Sequence, residues 1–212
     1  AGTTAPVTLA GTLAVANAEI LATIVLAQMY APEAPVIYGS QSSNADMASC
    51  AMAIGSPEGA LCYQYCAELA HFYGLPCRTG GCLTDARAVD AQAGYESMLT
   101  YLACRQSRAD LIFQAAGIVS GYLAVSYEKL IVDFEIIDIV NRYLKGIVVS
   151  EDEIPETLIH DVGQGGNFLT EGHTLRHCRS AAMIPNISIR GNDQTADALT
   201  KNIYKRMQKL LS

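Results

Sequence analysis

The sequence predicts an α/β protein of about four strand–helix units, half of a TIM-type (β/α)8 barrel, with a helical extension behind them. Short apolar runs alternate with long stretches whose apolar residues recur at helical spacing. One run follows the next after about 30–40 residues, the length of a βα unit. Long glycine-rich and polar segments follow the strands (GSQSSNADM, GGCLTDARAVDAQ, AAGIVSGYLAVS), whereas the returns to the next strand are short. Barrel enzymes build their sites from such post-strand loops.

The first candidate strand covers residues 5–9 (APVTL), with a helix over 14–30. The second covers 35–38 (PVIY) with a helix over 57–73, the third 76–79 (PCRT) with a helix over 91–108, and the fourth 111–114 (LIFQ) with a helix over 126–144. The strands are nearly all apolar, as expected of a parallel sheet covered by helices. In the fourth helix Leu130, Ile131, Phe134, Ile137 and Val140 alternate with Glu128, Lys129, Asp133, Glu135 and Asp138, an amphipathic pattern. Gly74-Leu75-Pro76 and Lys145-Gly146 supply helix stops. A doubly wound open sheet, with helices on both faces, is the rival arrangement. Residues 1–146 thus read as the half-barrel and 147–212 as a helical extension packed on it. In the extension, Ser150 and Glu153 have capping-box spacing, the glycines at 163, 165 and 166 break the pattern, a short segment covers 173–180, and a last helix covers 193–211.

Composition narrows the function. The chain has 212 residues, half of them apolar, and a net charge of −7. That charge argues against nucleic acid, which needs a basic face; the one basic patch, KNIYKRMQK, ends the last helix, where cations suit the dipole. The most apolar stretch, residues 16–30, is interrupted by Asn17, Glu19 and Gln28 and reads as a buried helix, so no membrane association is expected. Seven cysteines without a CxxC pair suggest a reduced, cytoplasmic protein.

Three stretches resemble the trimethylamine methyltransferase family, including its glycine betaine branch: TAPVTLAGTLAVANAEILA (residues 4–22), TDARAVDAQAGYE (84–96) and GQGGNFLTEGHTLRHCR (163–179). The segments PVIYGSQSSNADM and SYEKLIVDFEI fit as well. The resemblance implies the C-terminal half of a barrel about twice this length. It also implies transfer of a methyl group from a methylated amine to a Co(I) corrinoid carried by a partner protein. Some members of the family carry pyrrolysine, and this sequence contains none. A quaternary nitrogen leaves as a neutral amine, whereas a tertiary amine needs activation first. Two other readings stand beside this one: a non-catalytic half-barrel that associates with itself or docks a corrinoid protein, and an unrelated barrel enzyme. The latter would use an arginine at a strand end, Arg78 or Arg87. A half-barrel exposes sheet edges, so a homo-oligomer is expected.

Displacement at an N-methyl carbon requires a held cation, excluded water and an in-line approach. Aromatic faces attract quaternary ammonium, and positive charge on nitrogen fades toward the transition state, so few aromatics and one carboxylate are expected. Strand ends and the loops after them supply the candidates. Asp85, Gln92 and Gln114 are the expected catalytic residues, Gln114 as a buried amide in need of a partner. Tyr38, Ser40, Asp46, Gly80, Gly81, Tyr95, Glu96 and Tyr122 are expected to bind substrate. Each has a structural alternative, such as helix capping for Asp46 and Asp90 or a simple turn for the glycines. His173 and His177 stand at i, i+4 beside Cys178, a spacing that two metal ligands could share, but no third ligand is evident and no tightly bound metal is expected.

Overall fold

The computed structural model describes residues 1–191, 195 and 197–212. Helix α1 (Leu9–Tyr30) leads to strand β1 (Tyr38–Gly39), the hairpin β2 (Asn44–Ala45) and β3 (Met52–Ala53), helix α2 (Pro57–Phe72) and strand β4 (Cys77–Gly80). Helix α3 (Ala91–Gln106), strand β5 (Leu111–Phe113), the hairpin β6 (Ile118–Val119) and β7 (Ala124–Val125), and helix α4 (Tyr127–Leu144) follow. Helices α5 (Glu156–Val162), α6 (Gly172–His177) and α7 (Ala198–Leu211) complete the described elements.

Strands β1, β4 and β5 form a parallel sheet in that order, with Tyr38 beside Cys77 and Arg78 beside Leu111. Parallel neighbours need a crossover, and α2 and α3 provide it. Their starts are written in the sequence: Ser56 Oγ accepts from Gly59 N ahead of Pro57, and Asp90 accepts from Ala93 N. Ser126 likewise caps α4 through Lys129 N.

Strand alternation sorts the two faces. Tyr38, Cys77 and Ile112 pack with Cys66, Ala67 and Ala70 of α2, Cys104 of α3, and Ile20 and Ile24 of α1. Ile112 also meets Tyr101 of α3 and Ile136 and Val140 of α4. All four long helices therefore gather on one face. The other face carries Arg78, Leu111 and Phe113, the last two 44% and 49% exposed. A doubly wound sheet would have helices there as well. The α/β class and three of the four expected strands are present.

The fourth is not. Residues 5–9 form no strand; helix α1 begins at Leu9, with Thr8 at its extended N-cap. A run as short as APVTL has too few residues for periodicity to separate a strand from a helix entry. Nor is α1 a buried helix. It is long and apolar enough to span a membrane by length and composition, and only 6% of its most apolar window is buried. Its residues are apolar on every side, and α2 and the edge of the sheet cover just one of them; Val25, Leu26, Met29 and Tyr30 are exposed.

Beyond residue 147, Ser150 caps a single turn (Glu153 N to Ser150 Oγ, 3.3 Å; Ile154 N to Ser150 O, 2.9 Å), and the helix proper starts after Pro155. Proline removes a donor and fits only the first helical turn, so α5 restarts there. The expected start of the last helix at Asp193 lies outside the described residues. Helix α7 packs its Ile203 on Ile131 of α4, with Ile187 between them.

Glu135 of α4 fastens this end of the chain by accepting from Asn186 N (2.9 Å) and Ser188 N (3.2 Å). Burial pushes its carboxyl up, but the donors at Asn186 and Ser188 outweigh it, leaving the group below its ordinary 4.5. A lowered folded-state pKa contributes stability that is complete above the unfolded value and is lost as pH falls through the folded one. The segment around Ile187 is thus expected to detach on acidification below about pH 4.5. Amide exchange at Asn186 and Ser188 should accelerate in that window. In Glu135→Gln it should already be fast at neutral pH, with the acid dependence gone.

Candidate functional site

The C-terminal ends of the three parallel strands converge on one rim, where the loops behind them meet. From the loop after β1, Gln41 Nε2 donates to Oε1 of Gln114 (2.8 Å), which directly follows β5. This bond passes over the end of β4. Gly80 lies beneath it: a Cβ there would stand 3.4 Å from Gln41 Nε2, 3.4 Å from Tyr122 Oη and 2.8 Å from Leu83. Only glycine leaves that space to the two polar groups. Tyr122 Oη is buried without a hydrogen bond of normal geometry among the described residues. Burial pushes its hydroxyl up to about 12, against the nearby Arg78 cation. A neutral phenol there can donate a hydrogen bond but holds its proton at ordinary pH. Gln41 is the side chain that interacts with it, and a buried hydroxyl satisfied this poorly has capacity for a further partner.

The segment carrying Tyr122 is held in strained backbone. Gln114, Ser120 and Tyr122 all have positive φ (54°, 54° and 74°) without being glycine. Such strain persists only where the surroundings enforce it, and it concentrates at functional sites. Here the enforcement is visible: Ser120 N donates to Ala86 O and Gly121 N to Thr84 O, and the amide of Gly117 donates to buried Asp133 (2.7 Å).

Asp85 borders the same rim. Its carboxylate accepts from Ile54 N (3.1 Å) and Gly55 N (3.0 Å), and one oxygen lies 3.4 Å from where a Cβ on Gly121 would stand. Burial raises its pKa, the two amides oppose this, and Glu96 adds to the rise. Glu96 accepts from Thr84 Oγ1 (2.6 Å) and Asp85 N (2.8 Å), and Gln92 donates to its other oxygen (2.8 Å). Glu96 and Gln92 thus fix the backbone from which Asp85 projects.

Several expected site residues point elsewhere. Tyr38 is 1% exposed and faces the helices, donating to Asn17 of α1 (2.9 Å), because its parity on β1 turns it away from the bare face. Ser40 caps its own turn by accepting from Ser42 N (3.0 Å). Asp46 caps the β2–β3 turn, accepting from Ala48 N and Ser49 Oγ, rather than a helix or a ligand. Gly81 serves packing: a Cβ there would stand 2.6 Å from Ile112. Tyr95 is 64% exposed on the outer side of α3. Gln114 is exposed rather than buried, and Gln41 supplies the partner it was expected to need.

Two further residues belong to the site. Gln41 sits in the polar loop after β1, whose length was the only sequence signal. Arg78 projects from β4 onto the bare face, its guanidinium 4.8 Å from the centre of the Phe113 ring. Among the described residues no carboxylate pairs with it. Among the described residues the rim thus offers amides, the Tyr122 phenol and the Asp85 carboxylate, with the half-buried Arg78 cation beside it.

The profile of the family described as Trimethylamine methyltransferase (MTTB) matches residues 1–201. The chain is 47% identical over 190 residues to a protein named glycine betaine methyltransferase from Desulfitobacterium hafniense (strain Y51), covering 90% of this chain and 40% of that protein. It is 42% identical over 168 residues to trimethylamine methyltransferase MttB of Methanosarcina barkeri (strain Fusaro / DSM 804), covering 79% of this chain and 34% of that protein. With MttB of Desulfitobacterium hafniense (strain DSM 10664 / DCB-2) the identity is 34% over 214 residues, 99% of this chain and 43% of the relative. The chain therefore spans about two fifths of the length of the curated relatives it matches.

Proposed function

This chain belongs to the trimethylamine methyltransferase family, and from that premise we propose that its strand-end rim is part of a site where a methylated amine gives up a methyl group to the cobalt of a corrinoid carried by another protein. The observation that carries the reading is the placing of Gln41 and Tyr122 about Gly80, with Gln114 bonded to Gln41 and Asp85 beside Gly121 on the adjoining loop, at the C-terminal ends of parallel strands. Ligands of parallel-stranded α/β folds bind at that end.

The sheet is read as part of a (β/α)8 barrel. Among the described residues its two outer strands, β1 and β5, each have one unpaired edge, and open edges of this kind call for further strands. The bare face with Leu111 and Phe113 would become barrel interior, which side chains fill in layers.

In the proposed reaction the carbon–nitrogen bond would break with its electron pair leaving on nitrogen, and the partner's corrinoid, bound at the rim, would supply the electron pair that takes the methyl group. A quaternary substrate needs no proton for this. Tyr122, with its pKa pushed up to about 12, suits binding better than proton supply. Arg78 adds a preference: an unpaired guanidinium beside the rim favours an amine that also carries a carboxylate, for which a planar two-pronged donor is well shaped. Both features favour a betaine over trimethylamine.

The reading is tested with the full-length protein, its corrinoid partner in the Co(I) state, and methylated amines added one at a time. Conversion of the corrinoid spectrum to the methylated form is expected with glycine betaine and to a smaller extent, if at all, with trimethylamine. No spectral change with any methylated amine would refute the function.

A further inference from the structure

We propose that Asp152, His173 and His177 form a binding site for a divalent transition metal of the zinc class, separate from the strand-end rim, which staples the loop after residue 150 to helix α6. The histidine pair drew attention in the sequence but had no third ligand. The fold supplies one. Asp152 Oδ2 lies 3.2 Å from His177 Nε2, and His173 Nε2 donates to the backbone oxygen of Asp152 (2.8 Å), a bond that an ion at that nitrogen would replace. One ligand atom from each of the three side chains lies within 4.8 Å of the others.

The geometry needs little change to take an ion. One helical turn places the two imidazoles side by side, their ring centres 4.4 Å apart and their planes 27° from parallel. Ligands at about 2.0–2.1 Å from a tetrahedral zinc stand roughly 3.4 Å from one another. The three groups would therefore close by on the order of 1.5 Å, within the reach of side-chain rotations. Two neutral imidazole nitrogens and one carboxylate oxygen are a donor set that zinc accepts, with a fourth position left for water. Asp152 and His173 also line a cavity of about 750 Å³ between residues 149–161 and α6, so water can reach that position.

A second observation concerns what holds this region. Neither α5 nor α6 contains a buried residue. Hydrophobic burial therefore contributes little to the order of residues 150–178, and metal binding can supply ordering free energy directly. Cys178 is adjacent but exposed, and its thiol lies against Leu175 O (3.5 Å) rather than in the cluster.

The test uses the purified full-length protein, stripped with chelator and titrated with zinc in competition with a chromophoric chelator; cobalt(II) serves as a spectroscopic substitute. One equivalent of zinc is expected to bind, with cobalt giving the strong visible absorption of a four-coordinate site. His173→Ala and His177→Ala should each weaken binding by about 100-fold or more, and Asp152→Asn by about 10–100-fold. His160→Ala and Cys178→Ser, which alter exposed neighbours outside the set, should leave binding unchanged. Zinc should also slow proteolysis within residues 150–178 in the parent protein but not in His177→Ala. Circular dichroism of each variant separates lost ligands from lost folding, and all five positions are at or near the surface. No stoichiometric binding to the parent protein would overturn the proposal. So would binding that survives both histidine substitutions, or that depends on Cys178 or His160.

Discussion

Lys129→Met is expected to destabilise the protein by about 3–5 kcal/mol, because it strands a carboxylate inside the fold. Lys129 and Asp133 are both fully buried and paired on α4, Nζ to Oδ1 at 2.5 Å. Nζ also donates to Ser97 Oγ (2.8 Å) and Cys82 O (3.3 Å), so the ammonium has partners for its three hydrogens. Desolvation raises the Asp133 pKa while Lys129 opposes that rise. Without the cation, only the hydrogen bonds from Gly117 N and Ser97 remain to offset the burial. For a chain of this size such a loss lowers the melting temperature by roughly 10 °C or more. Replacing both partners with apolar residues of similar volume, Lys129→Met with Asp133→Leu, should recover much of the loss, since the paired charges contribute little beyond their mutual compensation. Thermal unfolding of the two variants side by side decides the matter: equal destabilisation of single and double variants would mean the pair has another role. A further effect is expected on the rim, because Asp133 also accepts from Gly117 N, at the base of the strained loop that carries Tyr122.

Arg78→Gln is expected to raise the KM for glycine betaine by about 10–100-fold, the equivalent of the roughly 1.5–3 kcal/mol that hydrogen bonds to a charged group contribute. Trimethylamine has no carboxylate, so its KM should not rise and could fall as a repulsive cation is removed. Arg78→Lys should restore only part of the betaine affinity, because an ammonium lacks the two-pronged geometry. The measurement is a KM and kcat comparison for both amines in the corrinoid methylation assay. An equal loss with both would assign Arg78 to packing over Phe113 instead.

What the sequence disclosed, and what it did not, follows from parity and length. Helices α2, α3 and α4 were legible because each has a capping side chain and a long periodic stretch. The strands β4 and β5 were legible as short segments at the spacing of βα units, β5 also as an apolar run. The hairpins β2–β3 and β6–β7 were not, since two-residue strands carry no period. At the rim, Asp85, Gly80, Gln114 and Tyr122 could be found because strand ends and their loops are where parallel folds build sites. Tyr38 misled because one residue of register decides whether a strand side chain meets the helices or the bare face. Tyr95 misled because a helix start near the rim still has an outer side. Gln41 was missed because a lone glutamine in a polar loop carries no signal until the chain folds Gln114 against it.

The distribution of thiols has a practical consequence. Cys50 and Cys178 are exposed, while Cys66, Cys77, Cys82 and Cys104 lie in the layer between helices and sheet and Cys62 is buried on α2 where it faces α1. Burial pushes the Cys104 thiol up to about 12, and desolvation raises Cys62 and Cys82 as well. A thiol reacts as its thiolate, so an alkylating reagent added to the native protein would mark two positions at once and the remaining five only as the interior opens. The molecule thus has its own clock for internal opening, readable by mass spectrometry without an introduced label.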